Sequence, residues 1–412
     1  MDWLPLCVVA LVILRLAAQL ALEALNRTEA RRNATRCPAA LAEVMDAATY
    51  ARSVQYTVAK SRLGSVETVC NAVFLLALLF SGALPWLWAT FNSLAPVAAW
   101  SGALFLVVTI VLFGLLSLPL EWWSQFRLEE RFGFNNSTFG LWAADHIKYA
   151  LLGLGIGFPL MWVVLALAGR VGPLWWVWGF ALLFGFQVLM MVLYPKLILP
   201  LFNKLSPLPD GDQRTSLLDF SKRAGFRAKT IDVMDGSKRS GHSNAFFTGF
   251  GRFRRIVLFD TLIAQLAPEQ LKAVLAHEIG HYKCGHVPKS IALRAFLQFG
   301  AFAVVAWLAR APWFNAAFGL PDGVLAPTFL LLALLGGLVT FWFAPAGNWL
   351  SRKHEFEADA FAKSTIGSGT PMIGALRKLS QKNLSNLTPH PVYSMVYYSH
   401  PTLVERERAL QQ

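Results

Sequence analysis

Seven long apolar stretches constrain the fold of this 412-residue chain more than any other feature of its sequence. A helix needs about 20 residues to cross the hydrocarbon core of a bilayer. Hydrophobic residues make up 55% of the chain and charged residues only 15%, which is typical of a membrane protein. The stretches of sufficient length are 3–24, 68–91, 94–120, 147–168, 173–197, 290–307 and 324–350. The sequence therefore predicts an all-α polytopic membrane protein with seven transmembrane helices.

The basic residues between these stretches predict the orientation in the membrane. The net charge is +13, and it falls mainly beside the apolar stretches, which indicates topology and contact with anionic lipid rather than nucleic acid. The turn at 92–98, between the second and third stretches, carries no charge. The connection between the first and second stretches is strongly basic. Its basic residues are Arg27, Arg31, Arg32, Arg36, Arg52, Lys60 and Arg62. Because basic connections stay in the cytoplasm, we expect the N-terminus outside and the C-terminus inside.

Polar residues inside two of the stretches predict an internal chamber. Arg15, Gln19 and Glu23 follow each other at four-residue spacing, as do Arg294 and Gln298. Each set lies on one helical face, which suits a helix bundle that encloses water. Interhelical ion pairs or snorkelling towards the membrane surface would explain the same residues equally well.

The stretch LKAVLAHEIGHYKCGH, at 271–286, predicts a metal-dependent hydrolase. His277 and His281 are one helical turn apart and can bind one zinc ion, while Glu278 can reach a water molecule on that ion without being a ligand. Two ordinary core histidines are the alternative. The third ligand has to come from farther along the chain, because Val287 stands where a metzincin has its third histidine. Cys284 lies near the motif, and we expect it to pack rather than to bind.

The stretch SRKHEFEADAFA, at 351–362, offers candidates for the third ligand. Glu355 and Asp359 are at i and i+4 on one helical face, so one carboxylate can bind zinc while the other orients a ligand histidine. Charge alone also allows His354 or Glu357. A solvated helix end is the simpler interpretation of this charged run.

These features divide the chain into four parts. We expect five transmembrane helices with cytoplasmic loops in 1–195, a cytoplasmic protease subdomain in 196–289, two further transmembrane helices in 290–350, and the third-ligand helix with a C-terminal cytoplasmic segment in 351–412. Inside the subdomain, 214–225 predicts an amphipathic helix, and 230–234 and 256–259 predict strands. The stretch SNAFF, at 243–247, resembles the edge strand that thermolysin-like enzymes pair with an extended substrate; a purely structural strand is the alternative.

Several motifs together resemble the type I CAAX prenyl protease family of integral-membrane zinc metallopeptidases, the a-factor-converting enzymes. A bacterial heat-shock membrane protease is a more distant relative. The motifs, in chain order, are FRLEERFGFNNST, YPKLILPLFNKLSPL, SNAFFTGFGRFRRIVLFDTL, HEIGHYKCGH, SRKHEFEADAFA and YYSHPTLVERERAL. The resemblance covers most of the chain. It implies a seven-helix barrel around a large intramembrane chamber, with a small α+β gluzincin-like domain that carries the zinc site.

The resemblance also implies roles for single residues. Zinc would be bound by His277, His281 and Glu355, with Glu278 as the general base. Around this centre the implied residues are Asp359 supporting a ligand, Asn244 and Ala245 on the substrate-binding edge, and His400 and Arg406 assisting catalysis or holding the substrate. His286 matches a histidine often seen after the zinc motif, and its role is not assigned.

The expected activity is peptide-bond hydrolysis at one zinc ion, in which Glu278 takes a proton from water and passes it to the leaving amine. The expected substrate is a peptide or protein C-terminus, prenylated in the CAAX manner or otherwise associated with the membrane. Membrane-protein quality control is the alternative proteolytic function. A zinc-binding scaffold or receptor and a transporter are the non-enzymatic alternatives, although no inverted repeat supports transport. Arginines outnumber lysines, which favours a bacterial inner membrane over the endoplasmic reticulum.

Overall fold

The computed structural model describes residues 3–34, 43–226, 230–248 and 255–412, and the side chains of 247 and 248 are outside the description. Residue Arg36 of the first basic connection and positions 249–254 of the strand-pair motif lie outside the described residues. Within them, seven helices are long and apolar enough to cross a membrane. They are Trp3–Arg32, Ala47–Phe80, Ala99–Phe132, Phe139–Arg170, Gly172–Phe202, His286–Leu308 and Leu325–Ile366. The predicted fold class is confirmed.

The described part of residues 3–202 contains ten helices, and nine of them belong to the first five spans. The ten helices are α1 (Trp3–Arg32), α2 (Ala47–Phe80), α3 (Ala83–Leu94), α4 (Ala99–Leu115), α5 (Leu118–Trp123), α6 (Glu130–Phe132), α7 (Phe139–Leu152), α8 (Phe158–Arg170), α9 (Trp175–Leu197) and α10 (Leu199–Phe202). Two π-helical segments, Ser124–Glu129 and Gly153–Gly157, join α5 to α6 and α7 to α8. Because of these segments, neither the third nor the fourth span is interrupted by a loop at these junctions.

The second span differs from the predicted stretch 68–91. Helix α2 ends at Phe80, and α3 starts only after Gly82, whose φ of 81° is left-handed and interrupts the helix. Apolar composition continues across this break, so hydropathy alone could not locate it. At its other end α2 begins at Ala47, where the Asp46 side chain accepts a hydrogen bond of 2.9 Å from the Thr49 amide. With 34 residues it is about 51 Å long, so it extends well beyond a bilayer core of about 30 Å.

A small four-stranded sheet follows the fifth span. Its elements are β1 (Leu205–Pro207), α11 (Asp212–Arg223), β2 (Thr230–Met234), β3 (Ala245–Thr248), β4 (Arg255–Phe259), α12 (Asp260–Gln265) and α13 (Pro268–Lys283). The strand order is β1-β2-β4-β3, with β2 and β4 parallel and the other pairs antiparallel. The predicted amphipathic helix and both predicted strands are present, and β3 lies at the edge of the sheet.

Seven helices complete the chain. They are α14 (His286–Leu308), α15 (Pro312–Ala316), α16 (Leu325–Thr340), α17 (Ala344–Ile366), α18 (Thr370–Lys382), α19 (Pro391–Tyr397) and α20 (Leu403–Gln411). A 3₁₀ turn, Phe341–Phe343, connects α16 to α17, so the seventh span continues into the helix that carries Glu355. Helix α13 packs against α17 and α18. The apolar core at this junction joins Leu271, Leu275 and Ile279 of α13 to Ala362 and Met372.

Two cavities receive the polar stripe of α1. The larger has a volume of about 840 Å³ and is lined by Glu23, by residues of α2, and by the C-terminal segment that includes His400. The smaller, of about 360 Å³, is lined by Arg15 and Gln19 among apolar residues. The stripe therefore faces internal space, as predicted for a chamber. The second stripe does not line these two cavities: Arg294 is exposed and Gln298 is partly buried.

Candidate active site

Helix α13 presents the H-E-x-x-H motif from a well-fixed position. Pro268 occupies the first turn, where its missing N–H costs nothing, and the Gln270 side chain accepts a hydrogen bond of 3.1 Å from the Ala267 amide. The apolar face that begins at Leu271 is buried in the junction core. Burial of this face at helical spacing fixes the rotation of α13, and with it the direction of His277 and His281.

Three side chains from two helices bring their ligand atoms together. The Nε2 atoms of His277 and His281 are 3.2 Å apart. Glu355 of α17 places Oε2 3.5 Å from the first and Oε1 3.3 Å from the second. All these donor atoms lie within 4.8 Å of one another. Two imidazoles and a carboxylate in this arrangement form a donor set suited to one metal ion.

A glycine allows the two helices to approach so closely. A Cβ atom added at Gly280 would lie 3.0 Å from both the Cα and the carbonyl oxygen of Ala358. Gly280 thus fixes the distance between the histidines and Glu355.

His277 is supported from behind by a buried ion pair. Its Nδ1 atom is 2.8 Å from Asp359 Oδ1, and Arg406 of α20 donates two hydrogen bonds to the same carboxylate, at 2.6 and 2.8 Å. Burial opposes the charged imidazolium, but the hydrogen bond to Asp359 and the nearby Glu355 carboxylate outweigh it and raise the pKa of His277 to about 9 in the metal-free protein. Asp359 and Arg406 are both buried.

Glu278 lies beside the donor set but outside it. Among the described residues, its carboxylate has no hydrogen bond and no ion pair, and the side chain is partly exposed. Desolvation by the surrounding protein is the main influence on it and raises the pKa of its carboxyl group. Among the described residues, this carboxylate therefore remains available to hydrogen-bond a molecule bound near the donor set.

His400 is a further residue that contacts the donor set. It lies in the turn between α19 and α20, with 64% of its side chain exposed, and its Nδ1 atom is 2.8 Å from Glu355 Oε2. The side chain also lines the larger cavity. Arg406 is different, because Asp359 occupies two of its nitrogens and the third is 3.8 Å from Glu355 Oε2.

The remaining third-ligand candidates lie elsewhere. Glu357 contacts His286, with 2.9 Å between Oε2 and Nε2. The His354 ring stacks on the His286 ring at 4.1 Å. Neither belongs to the group of His277, His281 and Glu355, although Cys284, His286 and Glu357 form a second group whose ligand atoms lie within 4.8 Å of one another.

The edge strand β3 lies beside this centre and packs against α13. It starts at Ala245, two residues later than the predicted stretch 243–247, and the Asn244 carbonyl accepts a hydrogen bond of 3.1 Å from the Phe259 amide. Within the described residues, β3 has a hydrogen-bonded neighbour only on the β4 side. Its other edge has no strand partner among them.

Sequence reasoning missed the residues that hold the segment before β3. His242 stacks on Phe134 at 4.1 Å, and its Nδ1 is 3.2 Å from Asn383 Oδ1. Tyr56 of α2 donates a 2.7 Å hydrogen bond to Glu129, whose other oxygen is 3.4 Å from His242 Nε2. The motif FRLEERFGFNNST supplies Glu129 and Phe134, so the resemblance was the only signal that pointed to this contact.

Comparison with known proteins gives consistent relatives over nearly the whole chain. Residues 27–204 match the profile of the CAAX prenyl protease N-terminal region with five membrane helices, and 207–412 match that of peptidase family M48. A CAAX prenyl protease 1 homolog of Arabidopsis thaliana is 35% identical over 391 residues, which covers 90% of each protein. CAAX prenyl protease 1 of Saccharomyces cerevisiae is 35% identical over 406 residues, which covers 91% of this chain and 88% of that protein. The crystal structure of S. mikatae Ste24p superposes with a TM-score of 0.91 at 33% identity and covers 100% of this chain and 99% of that one.

Proposed function

The chain belongs to peptidase family M48, and we propose that it is a membrane-embedded zinc metalloendopeptidase that cuts near the C-terminus of prenylated CAAX-type or other membrane-associated peptides. One observation carries the proposal: the donor atoms of His277, His281 and Glu355 converge next to Glu278, which has no partner among the described residues. A zinc-binding scaffold would not need this free carboxylate.

The donor set fits a metal ion on grounds of its own. Glu355 Oε2 is buried and makes no well-formed hydrogen bond, although His277 and His400 nitrogens are near it. A buried carboxylate oxygen without a partner is costly unless a cation binds it. Two histidines and one glutamate are the protein ligands of many catalytic zinc sites, and they leave a position open for substrate. When bound there, zinc would polarise the scissile carbonyl and lower the pKa of water towards about 7.

The side chains of this chain divide the remaining work. Glu278 takes a proton from the attacking water and delivers it to the leaving amine, because it is the free carboxylate beside the donor set. Asp359 accepts the Nδ1–H of His277 and holds that ring in place. His400 contacts the developing oxyanion from the cavity side. Arg406 acts through Asp359, since its two bonded nitrogens face that carboxylate.

The substrate is proposed to bind as an extended strand along the outer edge of β3, beside Asn244 and Ala245. The larger cavity, of about 840 Å³, adjoins His400 and can receive a chain end, but it is too small for a folded domain. The names of the relatives favour a CAAX-type C-terminus. Quality control of membrane proteins remains the second candidate, because the edge strand would select for extended chains rather than for a lipid.

The proposed topology places the N-terminus outside and the active site and C-terminus in the cytoplasm. The basic connection after α1 supports it. The bacterial inner membrane is proposed from the arginine content. The four segments 1–195, 196–289, 290–350 and 351–412 are the proposed division of the chain.

The decisive experiment replaces Glu278 by Gln in the full chain, purified in detergent. We expect bound zinc at the wild-type level and hydrolysis of a labelled peptide reduced at least 100-fold, because a general base contributes about 10²–10⁴ in rate. Loss of zinc from this variant would mean that Glu278 is a ligand, and normal hydrolysis would refute the mechanism.

A second comparison tests the substrate class. Wild-type kcat/KM is measured for one C-terminal CAAX peptide with and without a farnesyl group, in detergent and in liposomes. We expect the farnesylated peptide to be preferred, since each buried methylene contributes about 0.8 kcal/mol. If neither peptide is cut while unfolded membrane proteins are degraded, quality control replaces the CAAX proposal.

A further inference from the structure

His286 is the buried polar residue next to the donor set that the mechanism leaves without a role. It is the first residue of α14, and only 4% of it is exposed. Its Nδ1 atom is 3.0 Å from Nδ1 of His281, and its Nε2 atom is 2.9 Å from Oε2 of Glu357. The side chains of His281, His286 and Glu357 therefore form a continuous line that leads away from the donor set.

The proton positions along this line follow from the use of His281 Nε2. That nitrogen faces His277 and Glu355, so it is the atom available to a metal. An imidazole that binds metal through Nε2 carries its hydrogen on Nδ1. The Nδ1–H of His281 then needs an acceptor, and the atom at 3.0 Å is Nδ1 of His286. A neutral His286 that accepts at Nδ1 has its hydrogen on Nε2, where it donates to Glu357.

We propose that His286 is a positioning residue for the metal site, because its neutral ring accepts the Nδ1–H of His281, donates to Glu357, and so fixes both the orientation and the tautomer of His281. This inference rests on the proposed function, since it needs a metal at the donor set. His277 obtains the same support directly from a carboxylate, Asp359. His281 obtains it from a carboxylate through one intervening ring.

The local backbone explains how His286 reaches His281. On a continuous helix, residues five apart do not share a face. Helix α13 ends after Lys283, and Gly285 adopts a left-handed φ of 70° before α14 begins. The turn at Gly285 brings the His286 ring back beside His281. The His354 ring lies parallel to the His286 ring, at 4.1 Å and 15°.

The test measures zinc dissociation constants by chelator competition on the full-length protein in detergent, together with the absorption spectrum of the cobalt-substituted protein. His286→Phe keeps a planar ring of similar size and removes both nitrogens. We expect its zinc affinity to fall about 10–100-fold and its cobalt spectrum to change, because the support of a metal-bound histidine is usually worth that much. The matched control is His354→Phe, which changes the stacked neighbour but no hydrogen bond in the line, and its affinity should equal that of wild type.

Variants of Glu357 keep the test decisive if His286→Phe does not fold. Glu357→Gln retains an oxygen that accepts from His286 Nε2 and should bind zinc nearly as wild type does, whereas Glu357→Leu should show the weakened affinity. Equal zinc affinity in wild type, His286→Phe and Glu357→Leu would overturn the positioning role. A wild type that binds no zinc would instead overturn the proposed function itself.

The stoichiometry separates this role from a second metal site. Cys284, His286 and Glu357 offer donor atoms within 4.8 Å of one another. If they bound a second ion, wild type would hold two zinc ions, and both His286→Phe and Cys284→Ala would hold one. That result would overturn the positioning role. One ion in wild type and an unchanged affinity in Cys284→Ala support it.

Discussion

The two histidines of the donor set are alike in sequence but are supported by different surroundings. His277 is buried, and behind it lies an ion pair of two buried residues, Asp359 and Arg406. His281 is 22% exposed at its side chain, and behind it lies a neutral ring followed by Glu357, which is 37% exposed. One side is a closed charged cluster and the other leads out to solvent.

This difference predicts how amino-acid substitutions on each side affect the protein. A buried charge that loses its partner cannot be solvated, so removal of one member destabilises the protein strongly. A partly exposed carboxylate that loses its partner can turn to water, so the cost stays small. We therefore expect damage on the His277 side to affect folding as well as metal binding. Damage on the His281 side should affect mainly metal binding.

The largest effect is expected for Arg406→Gln. It leaves Asp359 buried with only His277 as a partner, and loss of a buried partner typically costs about 3–5 kcal/mol. We expect a clear fall in the thermal unfolding midpoint in detergent and a loss of most bound zinc. Arg214→Gln, which breaks an exposed pair with Asp210, should change the midpoint little.

A double variant sharpens this test. Asp359→Asn together with Arg406→Gln removes both buried charges, so its midpoint should recover part of the loss while zinc binding remains weak. If Arg406→Gln alone unfolds at the wild-type temperature, the two sides do not differ in the way described.

An intermediate effect is expected for Gly280→Ala, which changes both sides at once. The added Cβ would lie 3.0 Å from Ala358 and force α13 away from α17, and such overpacking costs about 1–3 kcal/mol. Zinc affinity should fall because the histidines move relative to Glu355. The control is Gly347→Ala in α17, where an added Cβ meets no atom within 4 Å and should stabilise the helix slightly. Wild-type zinc affinity in Gly280→Ala would contradict the close-approach argument.

A change of pH, which removes no side chain, should act on the His277 side. In the metal-free protein the pKa of His277 is raised to about 9, above the ordinary value of 6.5, so the ring carries a proton at neutral pH. Zinc has to displace that proton, so the apparent affinity should rise about tenfold per pH unit below pH 9 and level off above it. Measurements in wild type and Asp359→Asn should show the plateau moving to lower pH in the variant. An affinity that does not change with pH would contradict the assignment.

The comparison also shows where sequence reasoning succeeds. Seven apolar stretches predicted the seven spans, because burial in lipid selects composition directly. Helical spacing placed Glu355 and Asp359 on one face, and the structure puts both next to α13. Charge alone also allowed His354 and Glu357, although they lie on other helical faces, and the structure groups Glu355 with the two histidines.

The support on each side could not be predicted in the same way. Arg406 contacts Asp359 across 47 residues, and no periodicity relates them. His286 is only five residues from His281, but a continuous helix would have placed it on another face, and the backbone reversal at Gly285 is what brings it near. The end of α2 at Phe80 was missed for a related reason, since the break at Gly82 lies in a stretch that is apolar throughout. Two features that the sequence did not predict, the position of His286 and the end of α2, therefore each depend on a single glycine with a left-handed backbone.

The positions of α13 and α17 at the two ends of one membrane hairpin have a mechanical consequence. Helix α14 leaves directly from the end of α13, and α17 continues α16, which α14 packs against. A metal bound by both α13 and α17 would hold these two ends of the hairpin together. Closing such a loop costs conformational entropy, and an ion that binds only the closed form offsets the cost. An ion in the donor set would therefore stabilise the packing of the sixth and seventh transmembrane helices. We expect its removal to lower the stability of that helix pair as well as to stop hydrolysis.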